Sequence, residues 1–172
     1  MKNRREIKMT NQQKEKLQIL DLIMTKNLMW IGNADSKAAI LFGVNSAMLG
    51  FLATLVPLPD KFTLTSLLCS IFSGLMLIVS VIFLVLVAFP RLRGPENSLI
   101  YFGGIAAYKQ QEYVDKILKG SNKEFLADFA KQCHRNGEIA KIKYNLVSKS
   151  VICTVVALPT WLISIWLLYP LK

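Results

Sequence analysis

The sequence predicts an all-α integral membrane protein, with three transmembrane helices and long helical cytoplasmic extensions. Three observations predict it. Residues 38–56, 62–89 and 151–171 contain no charged residue, and about 20 apolar residues in a helix cross a hydrocarbon core of roughly 30 Å. Hydrophobic residues make up 53% of the 172 residues against 19% charged, with a mean hydropathy of +0.39, more apolar than a soluble domain requires. The net charge of +10 is unevenly placed: 19 of the 21 basic residues fall in 1–37 and 90–149. Basic flanks stay on the cytoplasmic side, so both segments face inward and the C-terminus faces out. Topology thus accounts for the charge, and neither DNA nor RNA is expected as a partner.

Residues 1–37 form a cytoplasmic N-terminal segment. Within it 10–32 reads as a helix, because Leu17, Leu20, Met24, Leu28 and Ile31 recur every three or four residues. Gly32 alone does not break it. The helix either continues into the first span as a stalk or lies on the membrane surface as an amphipathic helix. No cleavable signal is expected, since the first apolar run starts too far in for a secretory leader. A transmembrane hairpin occupies 38–89, with spans 38–56 and 62–89 joined by the uncharged-on-balance turn 57–61. The second span exceeds the minimum length, which tilt accommodates.

Segment 90–149 is cytoplasmic and mostly helical. Residues 98–102 read as a short strand or an extended loop, and Gly103-Gly104 as a turn. A short helix over 110–118 stops at Gly120. Ser121-Asn122-Lys123-Glu124 fits a capping box, in which Ser accepts from a backbone N–H and Glu reaches back. The helix starting there aligns Leu126, Phe129, Cys133, Ala140, Tyr144 and Val147 and runs on into the third span, 150–171. The 60-residue loop is small for an independent fold, so the stalk or a second subunit must cover its apolar stripes. A homo-oligomer is expected.

No catalytic constellation emerges. His134 has no acidic or cysteine partner at a recognisable offset, and Glu112, Asp115, Glu124, Asp128 and Glu138 read as helix-surface charges. Cys69, Cys133 and Cys153 lack metal or CxxC spacing, so neither a metal site nor a disulfide is expected. The chain is read as non-enzymatic, without a cofactor. The spans carry more signal. Ala39, Gly43 and Ala47, and Ser66, Ser70 and Gly74, form small-residue ridges that pack the two spans within a subunit or between subunits. Asn45, mid-span, needs a hydrogen-bond partner or lines a pore. Lys37 snorkels to the headgroups. Asp35 needs a basic partner, for which Arg91 or Arg93 is the candidate; those arginines also serve as positive-inside anchors or as contacts for an anionic ligand.

The stretch 33–41, Asn-Ala-Asp-Ser-Lys-Ala-Ala-Ile-Leu, followed by Asn45, resembles the first-span signature of the Pycsar membrane effectors, bacterial antiphage proteins. Residues 97–103 with Glu112-Tyr113 are similar to that family's cytoplasmic segment, and the resemblance extends over about 20–170. It implies a multi-pass protein of the bacterial inner membrane. It also implies activation by cyclic CMP or cyclic UMP, made by a partner pyrimidine cyclase on infection, and abortive infection through impairment of that membrane. Some members carry a separate nucleotide-binding domain, and this chain has no β-rich segment of that size. The resemblance therefore puts the ligand on 90–149 and the N-terminal stalk, between subunits. Arg91 and Arg93 would meet the phosphate, with Tyr101, Phe102, Gly103 and Gly104 around the nucleotide. The competing view packs Tyr101 and Phe102 against the stalks. Asp35, Lys37, Gly43, Asn45 and Gly74 are the packing or gating candidates. The other functional classes left open are a membrane scaffold and a constitutive small pore-former.

Overall fold

The structure, a computed structural model, describes residues 10–55 and 63–171. It is 87% helical, with no strand among the described residues. The helices are α1 (Asn11–Thr54), α2 (Leu64–Ala88), α3 (Phe102–Ala107), α4 (Gln110–Lys119) and α5 (Asn122–Leu168), closed by a short 3-10 turn, Tyr169–Leu171. The expected hairpin turn at 57–61 and the basic residues before Thr10 lie outside the described residues. The chain packs as two units, Met1–Ile31 with Pro90–Ala140 and Gly32–Phe89 with Lys141–Lys172. Helices α1 and α5 each contribute to both.

The stalk and the first span form one helix of 44 residues, and the capping-box helix and the third span form one of 47. The capping box is present: the Ser121 backbone N–H donates to Glu124 Oε2 at 3.0 Å, and the Glu124 N–H donates to Ser121 Oγ at 3.2 Å. These bonds hold the Glu124 carboxyl below the usual carboxylate range. Helix α5 runs through Pro159, a residue that membrane helices tolerate when neighbouring groups take up the freed carbonyl. Helix α4 stops at Gly120 as expected. There φ is −64°, and a Cβ would lie 2.7 Å from the Lys116 carbonyl oxygen, so a close approach selects glycine.

In the second unit the buried positions of all three long helices fall at spacings of three, four or seven residues. Helix α1 buries Ala34, Ala38, Asn45, Met48 and Leu52; α2 buries Ser66, Ser73, Leu77, Ser80, Leu84 and Val87. Helix α5 continues with Lys143, Val147, Ser150, Ala157, Ser164 and Leu168. A mean period of 3.5 residues is the seam of a coiled-coil-like bundle. Its interior is small and partly polar, whereas leucines, isoleucines and phenylalanines lie outside: Leu64, Ile40 and Trp166 are 73%, 68% and 76% exposed. Water would not tolerate this inverted distribution over so large a surface; hydrocarbon requires it. The protein is an all-α membrane protein with three spanning helices.

The small-residue ridge Ala39–Gly43–Ala47 does not pack the spans within the chain. All three residues are exposed, and nothing lies within 4 Å of a Cβ built on Gly43 or on Gly74. The close-packing row in α2 is Ser66, Ser73 and Ser80, each fully buried. A four-residue ridge drifts off the contact line of a 3.5-residue seam; a seven-residue row stays on it.

One polar layer crosses the bundle between apolar ones. Asn45 Nδ2 donates to Ser80 Oγ at 2.7 Å, and Thr154 Oγ1 donates to Asn45 Oδ1 at 3.0 Å. The Ser80 hydroxyl also lies 2.7 Å from that of Ser150. Above and below sit Ala38, Leu84, Val87 and Val147, and Met48, Leu77 and Ala157. Asn45 is thus a helix–helix hydrogen-bonding residue in this structure. Asp35 pairs with Lys143 of α5, not with Arg91 or Arg93; one helical seam brings 35 and 143 together, whereas the arginines belong to the other unit. Lys37 lies with its ammonium 5.3 Å from the Tyr144 ring centre.

Candidate ligand cavity

In the first unit the inner face of α1 is Leu17, Leu20, Met24, Asn27 and Ile31, so Asn27 takes the place expected for Leu28, which is 55% exposed. Asn27 Nδ2 donates to the Cys133 carbonyl of α5 at 2.7 Å, and the Cys133 thiol to the Leu20 carbonyl at 3.4 Å. Burial, aided by the negative charge of Asp21, pushes the Cys133 thiol up from its ordinary pKa.

Residues 98–101 have no regular structure, so the extended-loop alternative holds there, and Gly103-Gly104 lies inside α3 instead of marking a turn. The loop is built around Ser98. Its hydroxyl accepts from the N–H groups of Ile100 (3.2 Å) and Tyr101 (2.9 Å) and donates to Asp128 at 3.1 Å. Asp128 also accepts the Leu99 N–H at 2.8 Å, so it is a clamp between loop and α5, not an ordinary surface charge. Asn97 precedes this turn with φ 54°, a left-handed conformation that asparagine adopts readily. Tyr108 and Tyr113 donate to the Asn97 and Leu99 carbonyls at 2.9 and 3.1 Å. Gly104 lets α3 approach: a Cβ there would lie 2.4 Å from the Ser98 carbonyl oxygen.

Between this loop, α1 and α5 lies an open cavity of about 550 Å³, within the range that holds small ligands. Arg91, Arg93, Tyr101 and Phe102, four of the six residues expected around the nucleotide, line it together. Gly103 and Gly104 do not; their lack of a side chain serves packing against Tyr101 and Ser98. Helix α5 adds Phe129, Gln132, Arg135 and Asn136. Three guanidinium groups and no carboxylate line this wall. Arg135 is held in place by donating from Nε to the Arg93 carbonyl at 2.8 Å and from Nη1 to Glu138 at 3.0 Å. The hydroxyl of Tyr101 donates to the Leu92 carbonyl, and its ring meets that of Phe102 at 4.6 Å between centres, tilted by 55°. Phe102 is 62% exposed, so it does not pack away against a stalk.

Gln132 adds a further feature. Its Nε2 donates to Asn136 Oδ1 at 3.2 Å, and Asn136 Nδ2 faces the Met24 sulfur at 3.0 Å. Its carbonyl oxygen is the one buried side-chain polar atom among the described residues without a hydrogen-bond partner. Such an orphan costs about 1–3 kcal/mol.

A larger cavity of about 870 Å³ in the same unit is lined by residues of α4 and the start of α5. It carries Glu112, Asp115 and Glu124, and its lysines are paired, Lys116 to Glu112 at 3.8 Å and Lys119 to Asp115 at 3.1 Å. Acidic walls repel a phosphate, so the smaller cavity is the candidate. His134 is exposed and lies 3.9 Å from Glu138, an acidic neighbour four residues on that the sequence reading overlooked. Among the described residues no three His, Cys, Asp or Glu side chains gather as metal ligands.

Residues 19–169 match the family of the Pycsar effector protein domain. The chain belongs to that family. Membership places it in antiviral defence and agrees with the three membrane-spanning helices. Among curated proteins and among solved structures, none matches the chain.

The residues that carry the resemblance in sequence divide between the two units. Asp35 and Asn45 tie the spans together, while Asn97–Gly103 builds the loop that lines the cavity. Sequence reasoning missed Gln132, Arg135 and Asn136. Their signal was present as polar residues beside the inner stripe of α5, but helix-surface charge was the simpler reading without the loop packed over them.

Proposed function

We propose that this Pycsar effector binds a cyclic pyrimidine mononucleotide in the Arg91–Arg93–Arg135 cavity and responds by impairing the bacterial inner membrane, halting the infected cell before phage release. The observation that carries the reading is the convergence of three guanidinium groups and two aromatic rings, with no carboxylate, in one cavity of nucleotide size. Guanidinium groups bind phosphate oxygens through paired, charge-assisted hydrogen bonds. The Tyr101–Phe102 pair offers the base an apolar face. The chain holds the ligand without turning it over, and its source is a separate pyrimidine cyclase. The basic segments favour a cytoplasmic N-terminus and a cytoplasmic 90–149, the side on which that nucleotide is made. Driving a population from mostly closed to mostly open needs about 5.5 kcal/mol of differential binding, which the copies of a homo-oligomer share.

The test is membrane-potential dye uptake in cells expressing the chain with a cyclase for cyclic CMP, one for cyclic UMP, or neither. Depolarisation is expected only with a nucleotide, and Arg93→Gln should weaken the response about tenfold or more, the loss of one hydrogen bond to a charged group. Depolarisation without any cyclase would point to a constitutive pore. No depolarisation in any arm would favour a scaffold.

A further inference from the structure

We infer that Gln132 reads the base and selects the cytosine ring over the uracil ring, an inference that rests on the cavity being the nucleotide site. The amide orientation follows from the chain of contacts. A thioether offers only lone pairs, so Asn136 must turn its NH₂ toward Met24 and its carbonyl toward Gln132. Gln132 then answers with its own NH₂, which leaves its carbonyl pointing away from Asn136 as an acceptor without a donor.

What relieves that carbonyl is a ligand donor. Phe129 and Asn136 lie one turn to either side of Gln132, and all three line the cavity with the arginines. A nucleotide whose phosphate meets those arginines therefore brings its base edge within the same small space. The carbonyl is recessed, with almost no solvent-accessible surface. A small shift of the Gln132 side chain on binding opens that oxygen to the cavity, and the exocyclic amine of cytosine, which projects from a corner of the ring, then donates to it. Uracil has a carbonyl at that corner, which repels the Gln132 oxygen. Its ring N–H is flanked on both sides by carbonyls that would have to enter the wall with it. A site with an unpaired acceptor discriminates by what the wrong ligand leaves unmatched.

The experiment is equilibrium binding to the purified full chain in nanodiscs, using cyclic CMP, cyclic UMP and N4,N4-dimethyl cyclic CMP. Cyclic CMP is expected to bind at least about tenfold more tightly than either of the others. The dimethyl analogue removes the donor from the ligand and leaves the protein intact, so no folding defect enters. Gln132→Leu should erase the preference, leaving cyclic CMP and cyclic UMP within about twofold while the arginine-dependent binding persists. Equal affinity of the unaltered chain for the two natural nucleotides, or tighter binding of cyclic UMP, overturns the role given to Gln132 and leaves the cavity as the nucleotide site. Binding of none of the three overturns the assignment of the cavity itself.

Discussion

Removing the carboxylate of Asp35 should destabilise the helical bundle more than removing the ammonium of Lys143, although each change breaks the same ion pair. The burial of the partners is unequal: the Lys143 side chain keeps 11% of its exposure and that of Asp35 keeps 44%. In Asp35→Ala an ammonium is stranded in the seam of the long helices. Breaking a buried pair from one side costs about 3–5 kcal/mol, and the flexible lysine stem recovers part of that by moving its head toward water. The expected loss is therefore about 2–3 kcal/mol. In Lys143→Met the stranded group is a half-exposed carboxylate that solvent hydrates, while the thioether fills the seam. That change should cost about 0–1 kcal/mol. The difference of about 2 kcal/mol corresponds to about thirtyfold in the unfolding equilibrium. Raising the SDS fraction in mixed micelles, with helix content followed by circular dichroism, measures both. The double variant should sit near Lys143→Met. Equal losses within about 0.5 kcal/mol, or a larger loss for Lys143→Met, would refute this account of the pair.

Asn45→Leu removes two interhelical hydrogen bonds, to Ser80 and from Thr154, whose hydroxyls both keep Ser150 as a partner. At about 0.6 kcal/mol per bond on average and about 1.7 at most, the bundle should lose about 1–3 kcal/mol in the same titration; a loss within error would mean that the polar layer does not hold the helices. Gly104→Ala places a Cβ 2.4 Å from a backbone oxygen that cannot rotate away, an overpacking cost of about 1–3 kcal/mol. Hydrogen exchange at 98–107 should rise while the midpoint of the span bundle stays put, and unchanged exchange would show that α3 does not need the close approach.

The inverted composition of the spans explains why residues 33–45 look as they do. Within a bilayer, apolar surface gives helices no reason to associate, since lipid is as apolar as leucine. Packing of small residues and hydrogen bonds across helices take over. Serines buried at seven-residue intervals in α2, and one asparagine opposite them, supply both.

Some of this was legible in the residue order. Uncharged runs long enough to cross a bilayer, basic flanks and the Ser121–Glu124 cap specify helices whatever they pack against, because length, charge and capping act locally. The continuity of α1 and α5 follows likewise from the lack of any breaker between stalk and span. The tertiary structure alone decided which face of each helix turns inward. Leu28 and Asn27, or Gly43 and Asn45, are one or two positions apart, and a rotation of the seam exchanges them. It also decided which charges meet. Asp35 is 108 residues from Lys143, and Arg135 is 42 from Arg93; sequence spacing carries no information about pairs that only the docking of separate helices creates. Local physics therefore determined the elements, and long-range packing determined the partners and the cavity.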